Sequence, residues 1–155
     1  MRLLHGLLML SFVTVPGLAL QAPKPAQTCD ASLWDHVWSP KRLIVLAQCK
    51  TVTGRIVKRS ANEDGDEHML LNLDPGQEDL LRKKNRSAKA GNLVIEAVCA
   101  KPISQKSARP ACRGFRNQIP LPHVGDRVQV TGSYVLDTHN GWAEIHPITS
   151  VVIIQ

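Results

Sequence analysis

Aromatic residues are scarce in this chain: three tryptophans, one tyrosine and two phenylalanines in 155 residues. A protein that lays successive bases along a row of rings has little material for it here. No Cys-x-x-C pair occurs, which removes zinc knuckles and thioredoxin-like redox chemistry. No glycine-rich phosphate loop and no serine or cysteine nucleophile motif is recognisable, which argues against the common nucleotide-hydrolysing and acyl-transfer enzymes. Internal repeats and low-complexity tracts are also missing.

Long apolar runs are absent except at the start. Residues 1–22 read as a secretory signal peptide: Arg2 supplies the charged end, Leu3–Leu20 is almost wholly apolar, and Ala19 or Ala22 offers a small residue for cleavage. His5, Ser11, Thr14, Pro16 and Gly17 interrupt the stretch, which is barely long enough to span a bilayer, so a retained anchor fits less well. The tripeptide Ala26-Gln27-Thr28 lacks the small residue a lipid-attachment box needs before Cys29. The expected product starts near residue 23, is exported to the periplasm or beyond, and has no stable membrane insertion.

Export gives the four cysteines a structural meaning. Cys29, Cys49, Cys99 and Cys112 are an even number in a small domain bound for an oxidising compartment. Four cysteines allow three connectivities. The favoured one is Cys29–Cys49 with Cys99–Cys112, the latter tying a strand end to the loop that follows it. Without Arg2 the chain has 18 basic and 13 acidic residues. Arg82, Lys83, Lys84, Arg86 and Lys89 form a basic block expected in a loop, and Glu63-Asp64-Gly65-Asp66-Glu67 an acidic knot in another. The basic excess makes polyanions natural partners, although it also serves solubility.

Five runs alternate like strands: Gln48–Lys58, His68–Asp74, Asn92–Cys99, Asp126–Leu136 and Trp142–Ile153. In the first, Val52, Gly54 and Ile56 would face inward, and the glycine would give a bulge or bend. Ahead of them Asp30–Trp38 reads as a short helix, capped by Asp30 and stopped by Pro40, that would plug one barrel end with Trp34 or Trp38. Residues 101–122 have room for another short helix between strands three and four. The expected fold is mainly β: a five-stranded OB-like Greek-key barrel over 48–155, preceded by a lead-in and short helix over 23–47.

In such a barrel the loops after strands one and four flank the common binding face. Here these are Ser60–Glu67 and Asp137–Gly141. They would bring Asp64, Asp66 and His68 together with His139, Trp142, Glu144 and His146. Period-two alternation puts Trp142, Glu144 and His146 on one face of the last strand, opposite Ala143 and Ile145. Trp142 could be a stacking surface, with Arg82, Lys83, Lys84 and Arg86 as an anion-steering rim. It could equally cap the barrel end. No cofactor is required by any motif, but Asp64, Asp66, His68, Glu144 and His146 are candidate ligands for a divalent metal. An EF-hand loop beginning at Asn62 fails, because Glu67 and Leu73 stand where glycine and glutamate are needed. The acidic loop also opposes a general single-strand binder, since a phosphate track would want lysine there.

Two resemblances follow from these segments. Gly54-Arg55-Ile56-Val57 through Asp64-Gly65-Asp66 is similar to the start of the thermonuclease family, in which an aspartate of the turn helps hold calcium. The arginine and glutamate segment of that family is not recognisable after the second strand, so only Asp64 or Asp66 would carry over. Val37-Trp38-Ser39-Pro40-Lys41-Arg42-Leu43, Cys49-Lys50-Thr51-Val52-Thr53-Gly54, Asp64-Gly65-Asp66-Glu67-His68 and Gly141-Trp142-Ala143-Glu144-Ile145-His146-Pro147 together resemble a family of small exported bacterial OB-like proteins. This resemblance covers most of the chain after the leader; it implies fold and export, and no reaction.

Three functional expectations remain. The first is an exported binding module for a polyanion or nucleic acid, with a protein partner as another possibility. The second is a divalent-metal hydrolase of phosphodiesters that uses the Asp/Glu/His cluster. The third is a structural envelope protein in which the same residues serve turns and packing.

Overall fold

The computed structural model describes residues 28–155; the leader and nearly all of the lead-in before the first cysteine fall outside them. β1 (Leu43–Ala61), β2 (Glu67–Leu73), β3 (Leu93–Ala97), β4 (Arg127–Asp137) and β5 (Trp142–Ile153) close into a barrel in the order β1-β2-β3-β5-β4. All pairings are antiparallel except β3 with β5.

The first strand is longer than its alternation implies and begins inside the segment that reads as lead-in. Its N-terminal half pairs with β4 and its C-terminal half with β2, so Gly54 and Arg55 face both neighbours at once. A side chain at Gly54 would collide with the backbone carbonyl of Asn72, and this close crossing is what the glycine permits. The register slips not there but between Ile56 and Lys58, and again on either side of Ala47.

Inward positions build the main core. Val52, Ile56, Met69, Leu71, Leu93, Ile95, Val128, Val130, Ala143 and Ile145 are all essentially inaccessible. Leu80 joins them from a 3-10 turn at Glu78–Leu80, where its carbonyl accepts a hydrogen bond from the Tyr134 hydroxyl (2.7 Å).

The N-terminal helix forms as a 3-10 helix over Ala31–His36, with the Asp30 carboxylate accepting from the Ser32 amide. It does not plug the barrel. Leu33 and Val37 pack with Leu43, Val98, Cys99 and Val135 in a second, separate cluster. Trp34 is half-buried beside it and donates from Nε1 to Ser133 Oγ (3.1 Å), while Trp38 lies under the Arg42 guanidinium.

The basic block is not a loop. It forms α1 (Lys83–Ala88), a six-residue α-helix between β2 and β3. Between β3 and β4 there is only a 3-10 turn at Lys106–Ala108. Both expected disulfides, Cys29–Cys49 and Cys99–Cys112, are present, which fits a non-reducing compartment. No helix among the described residues is long and apolar enough to cross a membrane.

Candidate functional site

The acidic turn after β1 is braced from outside the sheet. Asn62 N–H donates to the Asp66 carbonyl and Gly65 N–H to that of Asn62, with Gly65 in the left-handed region at φ 97°. The segment leaving β3 straps over it: Lys101 N–H donates to the Gly65 carbonyl, and Ser104 and Gln105 N–H to that of Glu63. At the other side, Asp137 closes the β4–β5 hairpin by accepting from the His139 and Asn140 amides (2.8 and 3.0 Å) and from Asn140 Nδ2.

Between these two loops, the outward side chains of β2, β3 and β5 converge. Ala143 and Ile145 enter the core, which turns Trp142, Glu144 and His146 to the other face as alternation requires. Trp142 Nε1 donates to Glu144 Oε2 (2.9 Å), and His146 Nδ1 meets Glu144 Oε1 at 3.1 Å. Glu96 Oε2 lies 3.2 Å from the same Nδ1, Asp66 Oδ2 is 3.5 Å from His146 Nε2, and His68 Nε2 is 3.7 Å from Glu96 Oε1. Asp66 is fixed through its second oxygen, which accepts from the Cys99 amide at 2.9 Å. Asp66, Glu96, Glu144 and His146 are each at most 3% exposed.

Burial sets the protonation of this group. It raises the Asp66 carboxyl to about 6, against the pull of His146 and with a push from Asp64. It also raises Glu96 to about 8; His146 opposes the shift, and Glu144 and Asp66 reinforce it. Burial alone would lower the His146 imidazole, but Glu96, Glu144 and Asp66 surround it and lift it to about 9. His68 goes the other way, down to about 4, through burial and the nearby Lys89 ammonium. His68 is therefore neutral at pH 7.

Above the buried group opens a cleft of about 440 Å³. Asp64, His68, Glu96 and Trp142 line it, together with three cations, Arg42, Lys58 and Lys89. Lys89 Nζ sits 3.8 Å from the centre of the Trp142 ring, a cation–π contact.

The residues expected at the site thus separate into three groups. Asp64, His68 and Trp142 face the cleft, while Asp66, Glu144 and His146 lie beneath it and are nearly inaccessible. His139 is exposed on the hairpin and does not line the cleft. Nor do Arg82, Lys83, Lys84 and Arg86, which are exposed on and beside α1; Arg86 is used at home, donating to the Glu78 carbonyl at 2.9 Å. Lys84 is nevertheless near the hairpin, since a Cβ at Gly141 would touch its Cγ at 3.1 Å.

Two participants escape the sequence reading of the site. Glu96 was visible as a lone acid in the apolar run Leu93–Val98, where a merely solvated residue has no place. Lys89 carried no signal that separated it from the other cations of its block. No protein-family model matches the chain, and no curated protein matches it in sequence.

Proposed function

We propose that this protein is an exported, OB-like binding module that takes an anionic chain, with single-stranded nucleic acid as the class it fits best. The observation that carries the reading is the Lys89–Trp142 pair in the cleft: a cation already seated on an aromatic face, in a groove that also holds Arg42 and Lys58. Such a pair can meet a phosphate with the ammonium and a base with the ring. Lys84 extends the positive surface beside the hairpin. The closed strand order β1-β2-β3-β5-β4, with the cleft between the β1–β2 and β4–β5 loops, supports the OB-like assignment. The two disulfides support export, and the apolar start of the chain supports a cleaved leader. On this reading, membership of the family of small exported OB-like proteins is the simplest source of the fold.

The acidic side of the cleft, Glu63, Asp64 and Glu96, limits how far a phosphate track can run. Contact with one or two nucleotides is therefore expected, not a long strand. The test is tryptophan emission during titration with a short oligodeoxynucleotide at low and high salt. Wild type should show saturable quenching that weakens steeply with salt. Trp142→Phe should lose most of the quenching, and Lys89→Ala should weaken the affinity. Equal binding by a folded Trp142→Ala protein would reject the reading.

A further inference from the structure

Beneath the cleft, three carboxylates are packed around one imidazole, with no lysine or arginine to balance them. Among the described residues neither lysine nor arginine comes within ion-pair distance of Asp66, Glu96 or Glu144; their only such partners are His68 and His146. The contrast is next door. Glu67, equally buried, takes both Arg59 Nε (2.6 Å) and Lys101 Nζ (3.1 Å). Buried carboxylates are normally paired in that manner or hold a metal.

The second observation is independent of charge. Asp66 Oδ2, Glu96 Oε2 and His146 Nε2 are each buried with no hydrogen-bond partner. The 3.5 Å approach of Asp66 Oδ2 to His146 Nε2 is an ion-pair distance without hydrogen-bond geometry. A buried polar atom left without a partner is costly, and here three belong to residues that touch one another. One ligand atom from each of the three residues lies within 4.8 Å of the others.

We propose that Asp66, Glu96 and His146 bind one divalent transition-metal ion of the Zn²⁺ or Mn²⁺ type. An imidazole nitrogen beside two carboxylate oxygens suits such ions, whereas Ca²⁺ takes oxygen ligands alone. Bonds of about 2.0–2.2 Å hold tetrahedral ligands about 3.4 Å apart; Asp66 Oδ2 and His146 Nε2 already stand at 3.5 Å, and the remaining separations, up to 4.8 Å, close as the ion binds. The surroundings already orient each ligand. Glu144 holds His146 by Nδ1 and leaves Nε2 free, in the carboxylate–histidine arrangement common to metal sites. Trp142 in turn holds Glu144, and the Cys99 amide holds the other oxygen of Asp66. Glu96 is the ligand that also lines the cleft, so an entering ion passes it and a ligand in the cleft can approach the metal from that side.

This proposal stands apart from the anionic-ligand reading, and its test contains no nucleic acid. Protein expressed full-length without a tag is stripped with EDTA, dialysed against Zn²⁺, Mn²⁺ or Ca²⁺, and assayed for bound metal and thermal stability. Wild type should retain one equivalent of Zn²⁺ or Mn²⁺, melt at a higher temperature with it, and give a Co²⁺ derivative with visible absorption bands of low-coordinate intensity. Asp66→Asn and Glu96→Gln should bind at least about tenfold more weakly, and Glu144→Gln, which only positions His146, about tenfold to a hundredfold. Near-UV circular dichroism checks that each variant is folded. If the ligand variants unfold, the wild-type stoichiometry and the Co²⁺ spectrum decide the matter. No stoichiometric metal on wild type, undiminished retention in the folded variants, or Ca²⁺ bound in preference to Zn²⁺ and Mn²⁺ would each overturn the proposal.

Discussion

His146 stands where the chemistry of this chain is concentrated, facing carboxylates from the β1–β2 turn, from β3 and from β5. Asp64, His68, Arg42, Lys58 and Lys89 are the other charged or titratable groups around them. Their pH response has a definite sign. Asp66 and Glu96, with folded values near 6 and 8, start from 3.8 and 4.5 when unfolded, so the cost of ionising them accrues as pH rises through those intervals. His146 starts from 6.5 and reaches about 9; its stabilisation is complete below 6.5 and is lost as pH climbs through 9. All three leave the folded chain with more protons than the unfolded one, so stability falls as pH rises. In the presence of chelator, the urea midpoint should drop between pH 5 and pH 9, and Glu96→Gln should flatten that slope. A midpoint that holds steady or rises in wild type would contradict the assignment. Glu96 also shows what the residue scale offers a reader of sequence. An acid among Leu93, Val94, Ile95, Ala97 and Val98 marks itself by its company, whereas Lys89 follows a run of cations that are exposed.

At the scale of elements, the strands were legible because alternation fixes which side chains enter the core. The β5 limits match the sequence pattern residue for residue, and β2 and β4 are each offset by one residue. The helix α1 was not legible, for a physical reason. It has no apolar stripe, and its one buried residue is Asn85. That side chain does the anchoring: Oδ1 accepts from the Arg82 and Ala143 amides (3.0 and 2.8 Å), and Nδ2 donates to the Asn92 and Ala143 carbonyls (3.1 and 2.9 Å). Asn85→Ala leaves the Ala143 amide and carbonyl buried without partners and should destabilise the protein by roughly 2–4 kcal/mol in urea unfolding. A loss under about 0.5 kcal/mol would mean that water replaces the amide and that α1 is tethered otherwise. The N-terminal 3-10 helix presents the complementary case. Its spacing of Leu33 and Val37 was readable, but spacing names a face and not the surface that receives it.

For the molecule as a whole, a barrel of this size with few large aromatics gains much from its covalent staples. The bridge Cys29–Cys49 ties the N-terminal segment to β1, and Cys99–Cys112 ties the end of β3 to the connection that follows. Replacing either pair by alanine should cost about 2–4 kcal/mol in chemical denaturation. Only the second should also disturb the site, because the Cys99 amide holds Asp66 Oδ1. An unchanged denaturation midpoint in either double variant would remove that bridge from the list of stabilising features.

By itself the sequence determined the alternation of five strands, the pairing of its cysteines in a short list of possibilities, and the two polar loops. These follow from local periodicity, from counting, and from turn chemistry, none of which needs a partner in space. Tertiary structure decided the rest. The close passage of β2 over Gly54, the closure of β4 on β1 and the pairing of β3 beside β5 join residues far apart in the chain. Those pairings put Asp66, Glu96 and His146 within reach of one another and withdrew them from water, and they left Trp142 and Lys89 facing the cleft. Whether an acid or an imidazole is a solvated surface group or a buried, perturbed one depends on that burial. Burial is a property of the folded neighbourhood, which no local pattern of residues contains.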